Sequence, residues 1–214
     1  NCINCSFTSN TATEIVLKMT VSPAQMDSVV LERAAALWKH LDLGLGVRGI
    51  DAQHAWLVAL VLELEWVLHH NPDQVPQRFH DIVREAGRYA QVHFAAEEEL
   101  FHEYRFAEES AHIKAHQMFK NSLERILAEQ KAVSRKEAEK LYRFLRQWLV
   151  HHIVKEDRKY CEFLRRRKLL DQADQFMDQT NRQKKYTSDS QFKLLDLISG
   201  ASVVSVTTPE VLKE

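Results

Sequence analysis

Apolar residues recur along most of this chain at steps of three and four, the signature of helices with one buried face. After His54, the residues Leu57, Val58, Val61, Leu64 and Leu68 follow at intervals of 3, 4, 7, 10 and 14. A second stripe holds Ala86, Tyr89, Ala90, His93, Phe94, Glu97, Leu100 and Phe101, on a helix expected from about Pro76 to Tyr104. A third, over about 108–130, turns His112, His116, Phe119, Leu123, Ile126 and Leu127 to one side. The fourth carries Ala138, Leu141, Leu145, Trp148, Leu149 and His152, and then resumes one residue out of step as Ile153, Asp157, Tyr160, Cys161 and Leu164. Such a slip predicts a locally widened turn.

The punctuation agrees with four helices. Ser134-x-x-Glu137 is a capping box opening the fourth, and Ser22-Pro23-Ala24-Gln25 predicts an earlier helix over about 23–40. "LDLGLGVRGID" (41–51) holds three of the five glycines and predicts a loop, with Asp51 capping the helix that carries His54. The expected fold is all-α: an antiparallel up-down four-helix bundle with an additional N-terminal helix and a C-terminal helical or linker extension. The divisions expected are an N-terminal extension at 1–40, the bundle at 41–168 and a connector at 169–214. "EIVLKMTV" and "ASVVSVTTPEVL", near the two ends, have strand character.

Composition narrows the function. Lys+Arg 29 against Asp+Glu 30 leaves a net charge of -1, so there is no general polycation to neutralise a nucleic-acid backbone. The longest apolar stretch, 55–68, contains Glu63 and Glu65 and is too short to span a bilayer. Cys2 and Cys5 form one Cys-x-x-Cys near the start and Cys161 stands apart, weak grounds for zinc or redox chemistry. A reducing, cytoplasmic setting is expected. The first residue is Asn rather than Met, as in a fragment of a longer polypeptide.

Histidine is the outlier, at 11 residues. His54, His93 with Glu97, His112 with His116, and His152 with a carboxylate at 156 or 157 all fall on the apolar faces of successive helices. Any one alone reads as a hydrogen-bonded core histidine or a helix-surface pair. Together, five imidazoles and two carboxylates are costly to bury bare, and a pair of metal ions supplies partners for all seven. The other six histidines, His40, His69, His70, His80, His102 and His151, fall off these stripes and are expected at the surface.

Over about residues 39–165 the sequence resembles the hemerythrin family, most closely its bacterial members, through "GVRGIDAQHAWL", "HFAAEEELF", "HIKAHQMF" and "WLVHHIVKEDRKY". The resemblance implies a non-haem di-iron centre with a bridging hydroxide or oxide. His112, His116 and His152 would bind one iron, and His54 and His93 the other. Glu97 and Asp157 would bridge them. Pure helical spacing favours Glu156, whereas the family pattern and the stripe slip favour Asp157.

Two histidines against three leave one place open, on the iron of His54 and His93. The family implies dioxygen there, with nitric oxide or peroxide as alternatives. Leu57, Phe94, Trp148, Leu149 and Ile153 would wall an apolar pocket around it. Five imidazoles against two carboxylates contrast with the carboxylate-rich shell of ferritin-like di-iron enzymes, which favours binding over turnover. The expected function is therefore a reversible oxygen carrier, store or sensor, in the last case joined to a signalling domain beyond a terminus. A di-iron peroxidase, nitric oxide reductase or iron-cluster repair protein is the alternative. The segments between His54 and His93 and between His116 and His152 look long for the family, and Phe106-Ala107 replaces a frequent Tyr-Pro before the third helix.

Overall fold

The computed structural model describes residues 26–128 and 134–200. Cys2, Cys5, the Ser22-Pro23 helix start and both strand-like segments lie outside the described residues, as does the side chain of Leu127. Helix α1 spans Ser28–His40. Asp27 caps it by accepting the Val29 N–H at 2.9 Å.

Helix α2, Arg48–His70, carries His54 and is the centre of the molecule. It starts before Asp51, so the expected cap is corrected. Its N-terminus is capped across the fold, where the Arg48 backbone N–H donates to Asp174 at 2.6 Å. Asp51 instead reaches back into the loop, accepting from the backbone N–H groups of Leu45 at 2.8 Å and Gly46 at 3.0 Å. Eighteen of the 23 residues of α2 are buried, far more than one stripe supplies. A helix buried all round needs neighbours on every side.

Three of those neighbours complete the bundle. A short 3₁₀ turn at Pro72–Gln74 leads into α3, Val75–Tyr104, which has Pro76 in its first turn. These lengths, 23 and 30 residues, absorb the long segment between His54 and His93. Arg105, at φ 52°, ends α3, and the next residue, Phe106, packs on Phe101, Tyr160 and Phe163. Helix α4, Glu109–Ala128, follows, then α5, Arg135–His151, opened by the expected Ser134/Glu137 capping box. The out-of-step stripe is a π-helical segment at His152–Asp157, continuing as α6, Arg158–Arg166.

The remaining neighbours come from outside the four-helix pattern. Residues beyond 168 form two helices, α7, Leu170–Lys184, and α8, Asp189–Ser199, which pack on α2 together with α1. Their buried residues are few: Ala173, Met177 and Thr180 on α7, Gln191, Leu194, Leu195 and Ile198 on α8. Arg48 links the N-terminal end of α2 to α8 through Asp196 at 2.8 Å. No helix among the described residues is long and apolar enough to cross a membrane.

Gly46 is the point where the loop before α2 meets α7. Its φ is +97°, and a Cβ there would sit 2.9 Å from Leu170 Cδ2. Gly46→Ala is therefore expected to destabilise the fold by about 1–3 kcal/mol, measured as a lower denaturant midpoint with an unchanged slope.

Candidate metal centre

Four helical segments each bring polar side chains to the same buried volume. His54 comes from α2, His93 and Glu97 from successive turns of α3, and His112 and His116 from successive turns of α4. The fourth contribution depends on the π segment. Its hydrogen bonds close over five residues rather than four, so residues five apart share a face. His152 and Asp157 consequently both turn inward, at 1% and 0% exposure, while Glu156 turns out and accepts from Lys159 at 2.8 Å. All seven predicted residues are at most 2% exposed, and the six other histidines are all exposed.

The donor atoms form two groups that share Glu97. One contains Glu97, His112, His116 and His152, the other His54, His93, Glu97 and Asp157, with all ligand atoms in each within 4.8 Å of one another. Glu97 Oε2 lies 3.4 Å from His93 Nε2 and 3.0 Å from His116 Nε2, so it faces both groups. Asp157 also faces both: Oδ1 is 3.0 Å from His152 and 3.2 Å from His112, and Oδ2 is 3.2 Å from His54.

Hydrogen bonding alone does not account for this packing. None of the four oxygens of Glu97 and Asp157 has a donor in hydrogen-bonding orientation among the described residues. His152 Nε2 sits 3.2 Å from His112 Nε2 and 3.1 Å from His116 Nε2, and His54 Nε2 sits 3.2 Å from His93 Nε2. Two donors at right angles around a cation about 2.1 Å away would stand about 3.0 Å apart. The spacing, the orphaned oxygens and the nitrogen–oxygen donor set all fit cations such as iron, zinc or manganese.

Protons are unevenly shared among these groups. Burial opposes a charge on His112, but the Asp157 and Glu97 carboxylates override it and raise its pKa to about 10. Burial dominates at His93 and His152, lowering them to about 3 and about 4. Burial would also raise both carboxylates, yet the surrounding imidazoles hold Glu97 and Asp157 below the usual range.

The walls and supports are partly as expected. Leu57, Phe94, Leu149 and Ile153 are buried and Trp148 is half-buried. Phe94 stacks on His116 at 3.8 Å and Trp148 on His152 at 4.2 Å, so these two aromatics press on the three-histidine group. Against His93 lies Tyr89, stacked at 4.6 Å, whose buried hydroxyl has no hydrogen-bond partner among the described residues. Sequence reasoning placed Tyr89 on the stripe without giving it a role. It also passed over Gln53, whose Oε1 lies 2.9 Å from His93 Nδ1, and Glu98, whose Oε1 lies 3.4 Å from His116 Nδ1. Both are side chains adjoining a ligand in sequence, and that adjacency was the available signal.

Fold and cluster together define an all-helical metal-binding domain. The sequence profile of the hemerythrin HHE cation binding domain matches residues 45–164, more than half of the chain, and the chain belongs to the hemerythrin family. A search of curated proteins finds no match.

The proton distribution predicts how the metal-free protein responds to pH. His112 is raised above its ordinary 6.5, so its contribution is fully present below that value and is lost as pH rises through about 10. His93 and His152 are lowered, so theirs is present above 6.5 and is lost as pH falls toward about 3 and about 4 respectively. Thermal unfolding of chelator-treated protein should give its highest midpoint near neutrality. A midpoint that climbs steadily to pH 10.5 would contradict the assignment at His112.

Proposed function

We propose that the cluster holds two iron ions and that the protein binds dioxygen reversibly, as a carrier, store or sensor. His112, His116 and His152 would hold one ion and His54 and His93 the other, with Glu97 and Asp157 available to both. The observation that carries this reading is the unequal sharing of donors. Both carboxylates face both groups, but three imidazoles serve one group and two serve the other. By that count, an ion on the side of His54 and His93 would have one fewer protein ligand and could accept an external one.

A ferrous pair held there would supply two electrons to dioxygen and take them back on its release. The chain's own residues make that reversible. Imidazole nitrogens keep the donor set largely neutral, and the two bridging carboxylates offset part of the ionic charge. Leu57, Phe94, Trp148, Leu149 and Ile153 exclude water and the protons it would deliver.

One observation favours a second reading, an enzyme of the same fold that reduces peroxide or nitric oxide. Reduction needs a proton donor, and the buried Tyr89 hydroxyl beside His93 has no hydrogen-bond partner among the described residues. Turnover of either substrate by the iron-loaded protein separates the two readings.

The direct test is an anaerobic ferrous sample exposed to oxygen while its near-ultraviolet and visible absorption is followed, then returned to low oxygen. Reversal supports binding, and a spectrum that never returns refutes it. His116→Ala is expected to lose at least one iron per chain by elemental analysis. Retention of two would refute the ligand assignment. Leu149→Ala and Ile153→Ala should keep both ions but shorten the lifetime of the oxygenated state by about tenfold or more, since each opens an apolar wall to water.

A further inference from the structure

The turn between α7 and α8 lies outside the residues matched to the family, yet it reaches the support of a ligand histidine. Gln53 Nε2 donates to the Tyr186 backbone carbonyl at 3.2 Å and to the Thr187 hydroxyl at 3.1 Å. Both acceptors are fixed in that role. A carbonyl has no proton to give, and the Thr187 hydroxyl spends its own on the Gly49 carbonyl at 3.3 Å. The amide of Gln53 must therefore point its NH₂ at the turn and its oxygen at His93.

A second constraint follows at His93. Gln53 Oε1 at 2.9 Å from Nδ1 accepts only if that nitrogen carries the proton. With the proton on Nδ1, the lone pair is left on Nε2, the atom that faces His54, Glu97 and the other donors of its group. The turn is itself anchored: Thr187 N–H donates to Asn181 Oδ1 at 2.6 Å and Asn181 Nδ2 donates to the Thr187 carbonyl at 3.0 Å. Tyr186 OH donates to Glu99 on α3 at 2.5 Å, and Lys184 pairs with the same carboxylate.

We propose that Thr187 and the Tyr186 carbonyl are positioning groups for the metal site, acting through Gln53 to fix the ring orientation and tautomer of His93. The α7–α8 turn thereby governs the affinity of the two-histidine position and leaves the three-histidine position alone. This rests on the two-metal reading above, but the tautomer part stands independently of it.

The test uses Gln53→Leu and Thr187→Val in the full chain, singly and together, with Thr187→Ser as the conservative variant. In metal-free protein, nitrogen NMR of the imidazoles should show His93 protonated at Nδ1 in wild type and in Thr187→Ser. The Nε2-protonated form should appear in Thr187→Val and dominate in Gln53→Leu. On metal titration, Gln53→Leu should weaken the second equivalent by about 10- to 100-fold, the usual range for groups supporting a ligand. Thr187→Val should weaken it less, and the double variant no more than Gln53→Leu alone, because Thr187 acts through Gln53.

An unchanged His93 tautomer and second-metal affinity in Thr187→Val would overturn the proposal. So would an effect that adds in full to that of Gln53→Leu, since that is what a merely structural contact would do. If wild type takes up fewer than two ions, the two-metal reading fails, while the tautomer measurement still decides the role of the turn.

Discussion

The structure depends on the cost of bringing seven polar side chains into an apolar interior so that their lone pairs meet. An effective penalty of several kcal/mol for each buried, uncompensated ion compares with a total stability of about 5–15 kcal/mol for an ordinary domain. Charge on nearby imidazoles such as His112 offsets it only in part, and no donor among the described residues is well oriented toward Glu97 or Asp157. Their nearest polar neighbours are imidazole nitrogens, drawn in to about the spacing a shared cation imposes. Burial that is expensive for the bare side chains becomes favourable once cations complete the site. The helix register, the π segment and the apolar wall all serve that convergence.

Helix α3 shows how one stretch of sequence supplies successive layers of support. Neighbouring residues on a helix point about 100° apart. Glu97 accordingly faces the centre, Glu98 turns toward His116 Nδ1, and Glu99 reaches Tyr186 and Lys184 of the C-terminal helices. Three chemically identical side chains thus occupy three distances from the same site. The periodicity that buries Phe94 and Leu100 assigns those distances without any further signal.

The four stripes, the Ser134 capping box and the one-residue slip after His152 were legible because each is local, settled within a turn or two of helix. The slip was the most informative, since it distinguishes Asp157 from Glu156, and the structure turns the first inward and the second outward. What could not be read was anything completed from far along the chain. The start of α2 was misplaced because its cap is Asp174, 126 residues away, leaving Asp51 as the nearest local candidate. Helices α7 and α8 looked like a connector because they bury few residues, some of them polar or small, such as Ala173, Thr180 and Gln191. The contact of Gln53 with Tyr186 was out of reach for the same reason, as it joins residues 133 apart.

The two halves of the site are mounted very differently. Helix α4 buries only His112, His116, Phe119 and Leu123 among its described side chains, a single stripe with solvent beyond it. Helix α2, which carries His54 and Gln53, is enclosed by α1, α3, α5, α7 and α8. Local opening takes least free energy where few apolar contacts are lost, so opening at α4 is expected to cost less than at α2. A cation held by the three imidazoles would tolerate that better, because more ligands define its geometry. On the proposed two-metal reading, the group with two has fewer donors to define its shape, and its precision would have to come from the scaffold. Wrapping α2 on every side, with residues 186 and 187 bonded to Gln53, puts the most enclosed helix behind the two-imidazole group.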